Sequence, residues 1–274
     1  MERYIDVNGA RLWTVSDGAG PAIVLMHAAI VDHRAWDAMV PMLVSAGYQV
    51  VRYDARGFGR SDTADVEFSN RADVLAVLDA LDIGAAALVG NSRGGQVAID
   101  TAIEFPQRVV AVVAVGAGVG GFEGSLTPDE QTLLDEMDRL ESADPTDIAA
   151  IAEINVRIWV DGPGQPAGRA PGPVREAVRA MDMANDLPHR VAGRPIRLVP
   201  LANERLMELR CPVLAVAGGL DLSDVPQVGE RLEAAAPNAR AVVLPGIAHM
   251  VGMEDPRRLS DLVIDFLRPL GTWA

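Results

Sequence analysis

Lysine is missing from this chain of 274 residues, so all 24 basic residues are arginine. That absence excludes Schiff-base chemistry, which needs a side-chain amine. Cysteine occurs once, as Cys211. A single thiol excludes an internal disulfide and fits a reducing compartment, so a cytoplasmic setting is expected. No apolar run reaches the roughly 18 residues that a membrane helix needs. Met1-Glu2-Arg3-Tyr4 also lacks the basic and then apolar character of a signal peptide. Positive charge is scarce beside 38 acidic residues, which leaves a formal net charge of −14. This balance argues against nucleic acid or an anionic membrane surface as a partner. What the chain does hold is core material. Hydrophobic residues make up 49% and charged ones 23%, enough for one large domain or a domain with an insertion.

Apolar strands alternate with helical patterns along most of the chain. Residues 4–7 and 11–15 alternate around Asn8-Gly9, the signal of a type I′ hairpin. Residues 21–27 form a continuous apolar strand of the kind buried on both faces of a parallel sheet. A helix over 34–46, a strand over 48–53, a helix over 70–81 and strands over 85–89 and 109–115 follow. This order predicts an α/β fold, a doubly wound and mostly parallel sheet. The alternation then stops. Residues 118–205 carry helical patterns at 128–142, 145–160 and 171–187 and no strand of comparable quality, which reads as a helical insertion. The sheet resumes at 212–217, and a helix (224–236), a strand (241–244) and a last helix (256–268) complete the core. The expected units are therefore a core of residues 1–117 and 206–274 and a helical cap of residues 118–205.

The chemistry centres on Gly90-Asn91-Ser92-Arg93-Gly94, which sits between an apolar strand and a helix that starts at once. Gly90-x-Ser92-x-Gly94 is the pattern of a nucleophile elbow. The chain reverses so sharply there that a Cβ two residues either side of the serine would collide with the neighbouring backbone. A serine hydroxyl needs a base within reach, and that base needs an orienting acid. Of the four histidines, His249 lies in the loop after the last strand, and loops at the carboxyl ends of parallel strands converge on one edge. His27, His33 and His189 read as structural, and no pair has zinc-ligand spacing. The acid is expected after the 212–217 strand. Asp221 is favoured; Asp224 is the competitor, with capping of the following helix as its alternative role. Gly116-x-Gly118-x-x-Gly121 matches a dinucleotide fingerprint, but no helix begins behind it until Pro128, so it reads as an exit into the insertion.

The order Ser92, Asp221, His249 in this context resembles the α/β-hydrolase superfamily. So do Asp54-x-Arg56-Gly57-x-Gly59-x-Ser61-Asp62 and Gly246-x-x-His249 followed by Glu254-x-Pro256. Haloalkane dehalogenases and most epoxide hydrolases of that superfamily carry aspartate where Ser92 stands, so their chemistry is not expected. The resemblance implies an oxyanion hole formed by the backbone N–H groups of Ala29 and Arg93. The usual His-Gly-x is replaced here by His27-Ala28-Ala29-Ile30. The chain is similar to the 3-oxoadipate enol-lactonase-like group and to small esterases. That implies cleavage of a small carboxylic ester or lactone through an acyl-enzyme on Ser92, with no metal or organic cofactor. The alternative is hydrolysis of a carbon–carbon bond in a ring-cleavage product. Those enzymes share the Gly-Asn-Ser-x-Gly-Gly elbow but usually carry tryptophan where this chain has Met250. A third reading is a ligand receptor on a hydrolase fold. In the insertion, Trp159, Met181 and Met183 default to core. The side chain of Arg93, a cation at a helix N-terminus, should be offset by Asp32, Asp221 or Asp224, or by a carboxylate on the substrate.

Overall fold

The structure is a computed structural model and describes residues 1–185 and 193–273. Among these residues the strands are β1 (Glu2–Val7), β2 (Ala10–Asp17), β3 (Ala22–Met26), β4 (Gln49–Tyr53), β5 (Glu67–Phe68), β6 (Ala86–Asn91), β7 (Val109–Val115), β8 (Arg194–Pro195), β9 (Val213–Gly218) and β10 (Ala239–Leu244). The α-helices are α1 (Val40–Ser45), α2 (Asn70–Ala80), α3 (Arg93–Glu104), α4 (Pro128–Ala143), α5 (Ile148–Asn155), α6 (Gly172–Asn185), α7 (Ala202–Arg205), α8 (Asp224–Ala235), α9 (Val251–Glu254) and α10 (Pro256–Leu267).

Eight strands form one sheet in the order β1-β2-β4-β3-β6-β7-β9-β10. The β1/β2 and β2/β4 pairs are antiparallel, and every other pair is parallel. Successive residues of a strand point to opposite faces, and the inner strands show it. Ala22, Val24 and Met26 of β3 join one core with α2, α3 and α8. Ile23 and Leu25 join the other, with α1 and α10. Both faces are covered, which is why these strands read as unbroken apolar runs rather than alternating ones. The chain runs from β3 to β4 on one side and then crosses to β6 on the other. The carboxyl ends of β3 and β6 therefore flank the switch point, where open α/β sheets bind ligands.

Several local expectations need correction. The hairpin after β1 has its two-residue loop, but only Gly9 takes positive φ (+71°), whereas a type I′ turn needs it at Asn8 as well. The turn is docked on its neighbour: the Gly9 carbonyl accepts the Ala64 N–H at 2.7 Å, and a Cβ on Gly9 would strike Val66. The single helix expected over 34–46 is a 3₁₀ turn, His33–Trp36, followed by the short α1. Pro41 stands in the first turn of α1, where its missing N–H costs nothing; one turn further in, it would break the ladder. Between β7 and β9 the three expected helices are present as α4, α5 and α6. Positions 186 and 187 of the last expected helix, and His189, lie outside the described residues. The β5/β8 pair was not anticipated, since two-residue strands carry no alternation. Leu198 and Ala202, inside the segment read as insertion, pack into the core with α2 and α3.

Candidate active site

The elbow is built by sterics. Ser92 has φ +54° and ψ −118°, a conformation that non-glycine residues rarely adopt. It follows β6, which ends at Asn91, and precedes Arg93, the first residue of α3. A Cβ on Gly90 would overlap the backbone of Gly94, one on Gly94 would overlap the Met26 carbonyl of β3, and one on Gly95 would strike Ala117. The serine N–H donates to Val115 O at 2.7 Å and so ties the turn to β7.

The histidine and the acid meet. His249 Nδ1 lies 2.7 Å from Asp221 Oδ2, and the two side chains are 5% and 0% exposed. The other carboxylate oxygen, Oδ1, accepts the Leu222 N–H at 2.9 Å. With Asp221 as acceptor, the proton of neutral His249 sits on Nδ1 and Nε2 keeps its lone pair. Ser92 and His249 share the wall of one cavity of about 290 Å³. Among the described residues no hydrogen bond joins the two, a looseness common between nucleophile and base before substrate binds. Asn91, beside the serine, donates through Nδ2 to Val115 O at 3.1 Å and to His249 O at 3.3 Å, which links the elbow to the histidine loop. Gly116 (φ +53°) leaves room behind the imidazole, since a Cβ there would come within 3.0 Å of His249 Nδ1. No helix follows that glycine until α4, so the dinucleotide pattern marks a packing requirement instead.

Asp224 behaves differently from Asp221. It does not cap α8; Ser223 holds the N-cap position without a side-chain cap bond, and Asp224 is the first helical residue. Its Oδ1 is buried without a hydrogen-bond partner. Burial, and then the charge of Asp221, hold its carboxyl above the ordinary carboxylate value.

Ala28, Ala29 and Ile30, on the loop after β3, line the same cavity as Ser92. Ala28 is buried and has no positive φ, so the backbone there does not require glycine. Arg93, at the first position of α3, has a backbone N–H with no intrahelical acceptor. Its side chain leaves the cavity. Nη2 donates to Asn70 Oδ1 at 3.0 Å, and the guanidinium lies over the Phe58 ring at 5.1 Å. Of the three carboxylates expected to offset it, Asp32 pairs with Arg34 and Asp221 with His249, while the buried Oδ1 of Asp224 has no hydrogen-bond partner. Nor does the side chain line the cavity beside Ser92, as a role in reading a substrate carboxylate would require.

His27 and His33 are structural. His27 Nδ1 faces Ala28 O at 2.8 Å, and Nε2 accepts the Ala55 N–H at 3.0 Å. Burial, and then the nearby charge of Arg93, push its pKa down to about 4, so it stays neutral. His33 Nδ1 sits 2.6 Å from Asp54 Oδ1. Asp32, His33 and Asp54 have donor atoms within 4.8 Å of one another, a possible cation cluster. Their lone pairs are committed, however. Arg34 takes Asp32, while Asp54 accepts the N–H groups of His33 and Arg60 at 2.8 and 2.9 Å.

Residues of the segment between β7 and β9 complete the cavity: Met137, Glu141, Asn155, Trp159 and Asp182. Asn155 Nδ2 donates to Asp182 Oδ2 at 2.9 Å. Trp159 is not simply core, because its ring lies 4.7 Å from that of His249 at an interplanar angle of 50°. It sits on a π-helical turn, Val156–Asp161, an irregularity that sequence periodicity does not announce and that recurs at functional sites. Met181 is core, packed with Ala28, Val31 and Met250. Met183 is half-buried and outside the cavity lining.

A doubly wound sheet that strains a serine at its switch point and sets a carboxylate–imidazole pair beside it is the architecture of a hydrolase. Residues 23–262 match the model of the alpha/beta hydrolase family, and the chain belongs to that family. It is similar to the 2-hydroxy-6-oxononadienedioate/2-hydroxy-6-oxononatrienedioate hydrolase of Burkholderia vietnamiensis, with 30% identity over 90% of this chain and 87% of that protein. It is also similar to the rhodomycin D methylesterase of Streptomyces peucetius, with 27% identity over 90% of this chain and 91% of the relative. Among solved structures, the enol-lactonase from Burkholderia xenovorans LB400 superposes with a TM-score of 0.76 at 22% identity, over 97% of this chain and all of that one; this likeness bears on the fold. No helix among the described residues is long and apolar enough to cross a membrane.

Proposed function

We propose that the chain is a serine hydrolase that cleaves a small carboxylic ester or lactone through an acyl-enzyme on Ser92. The observation that carries this reading is the 2.7 Å contact of His249 Nδ1 with Asp221 beside the cavity that Ser92 enters. Ser92 Oγ attacks the carbonyl carbon, and His249 Nε2 takes the hydroxyl proton and returns it to the leaving oxygen. Asp221 holds the tautomer and stabilises the imidazolium. The N–H groups of Ala29 and Arg93 receive the oxyanion. Water activated by the same Nε2 then releases the acid. Nothing in this sequence requires a metal or organic cofactor. The helices of residues 118–205 act as a cap, because Trp159, Asn155 and Asp182 close the side of the cavity opposite the sheet. A formal charge of −14 and a lone, buried Cys211 favour a small-molecule enzyme of the cytoplasm over a partner of nucleic acid or membrane.

Carbon–carbon bond hydrolysis is the second reading, favoured by the relative named for a dienedioate substrate. The ester stands first because this chain has Met250 where carbon–carbon hydrolases usually carry tryptophan. The test is a panel of activated short-chain esters, lactones and vinylogous diketones, assayed with the wild type and with Ser92→Ala. Ester or lactone turnover that falls by about 10⁴–10⁶ in Ser92→Ala is expected. Ser92→Ala activity within tenfold of wild type sinks the assignment, and turnover of the diketones alone moves it to the second reading.

A further inference from the structure

Residues 118–205 do more at the site than cover it. Asp161 ends the π-helical turn that carries Trp159, and its side chain is fully buried. The carboxylate accepts the N–H groups of Gly168 and Ala170 at 3.0 and 3.1 Å and pairs with Arg175. These bonds fold residues 162–170 into a closed loop that delivers Arg169 to the histidine loop.

The Arg169 guanidinium then divides its donors between two structures. Nε donates to Asp161 O and Nη2 to Val160 O, each at 2.6 Å, on the turn that presents Trp159. Nη1 donates to Gly246 O at 3.0 Å, three residues before His249. Nη2 also pairs with Glu254 Oε2 at 2.6 Å, and Glu254 Oε1 accepts the Ala248 N–H at 2.8 Å. The two side chains are 18% and 5% exposed, so this pair is shielded from the solvent that weakens surface ion pairs. One planar fork thus grips the backbone on the Trp159 side and, directly at Gly246 and through Glu254 at Ala248, the backbone that leads into His249.

We propose that Arg169, acting with Glu254, is a positioning residue. It locks the Trp159 turn to the His249 loop and so fixes the imidazole that packs against the indole, with Nε2 available to Ser92. A lysine could not span these acceptors with a fixed geometry, whereas guanidinium donors are arranged in a rigid plane. The consequence is that the cap contributes to the rate as well as to selectivity, since a small misplacement of a reacting group is costly. This inference rests on His249 acting as the base for Ser92.

The experiment compares Arg169→Met, Arg169→Lys, Glu254→Gln and the Arg169→Met/Glu254→Gln double variant of the full chain on p-nitrophenyl acetate. Trp159 emission is read as the difference between each protein and its Trp159→Phe counterpart. Arg169→Met should lower kcat by about 10–100-fold with KM within about threefold, and Trp159 emission should shift. Arg169→Lys should recover part of kcat. The double variant should lose little more than Arg169→Met alone, because the two residues act as a unit. If Arg169→Met fails to fold, Glu254→Gln carries the test, since it keeps an acceptor for Ala248 and nearly the same volume. A kcat within threefold of wild type in the folded variant, or a loss confined to KM, overturns the proposal. Ser92→Ala separates the two levels. If Ser92→Ala is inactive and Arg169→Met silent, only this inference falls; an active Ser92→Ala removes the hydrolase reading and this inference with it.

Discussion

Replacing Asp221 by asparagine tests the heart of the site, because its two oxygens have different tasks. Oδ1 accepts the Leu222 N–H at 2.9 Å and Oδ2 accepts His249 Nδ1–H at 2.7 Å. An amide has one accepting end and one donating end. The backbone N–H of Leu222 cannot change sign, so it claims the amide oxygen. The NH₂ group then faces Nδ1, and the imidazole can meet it only by carrying its proton on Nε2. That nitrogen is then no longer a base toward Ser92. In a serine protease this tautomer error costs about 10⁴ in kcat, or about 5 kcal/mol of transition-state stabilisation. The same loss is expected here. Asp224→Asn is the matched control, with opposite expectations. Its Oδ1 is buried and unbonded, and its carboxyl is raised by burial and then by Asp221, so removing the charge relieves a penalty. Steady-state hydrolysis of an activated ester should show Asp224→Asn within about threefold of wild type, and thermal unfolding should show a Tm no lower. Asp221→Asn within tenfold of wild type, or an Asp224→Asn loss as large as that of Asp221→Asn, would refute the reasoning.

Two further outcomes follow from partly buried charges on α3, Asp100 and Arg93. Burial pushes the Asp100 pKa up from 3.8 to about 6, and its Oδ1 has no partner. A raised carboxyl favours the folded state when protonated, so the penalty is absent at low pH, grows as pH rises through the two values and is complete above about 6. Asp100→Asn should therefore raise Tm by roughly 2–6 °C at pH 8 and by much less at pH 4, as measured by calorimetry; a gap that does not grow with pH would contradict it. Arg93→Met removes a guanidinium that contacts Asn70 and Phe58 outside the triad cavity. Stability should fall, and kcat/KM on matched anionic and neutral esters should change alike within about threefold; a KM increase confined to the anionic ester would restore a role in substrate reading.

Legibility in the sequence followed the kind of constraint involved. The elbow could be read because sterics admit only glycine at positions 90 and 94, where a side chain would enter the backbone of α3 or β3. The inner strands could be read because burial on both faces leaves no room for polar residues. Chain order and strand ends narrow the choice of acid to the loop that holds Asp221 and Asp224, and Asp221 ranks first because Asp224 adjoins the next helix and reads as its cap. The clamp was not legible. Trp159 stands 90 residues before His249, on a helix whose apolar spacing is that of ordinary core. The single extra residue of its π turn, which turns the indole toward the site, leaves no periodic trace. Arg169 is even less marked, since a surface ion pair has the same composition as a buried one, and Glu254 stands out only as part of Glu254-x-Pro256, without a partner or a role.

The surroundings of Arg93 were hard to read for a related reason. Charge balance along the chain cannot say which carboxylates are already taken. Asp32 is claimed by an arginine two residues away, and Asp221 by the imidazole it orients. Among the described residues the guanidinium meets the Asn70 amide oxygen at 3.0 Å and the face of Phe58, partners that a count of carboxylates does not disclose.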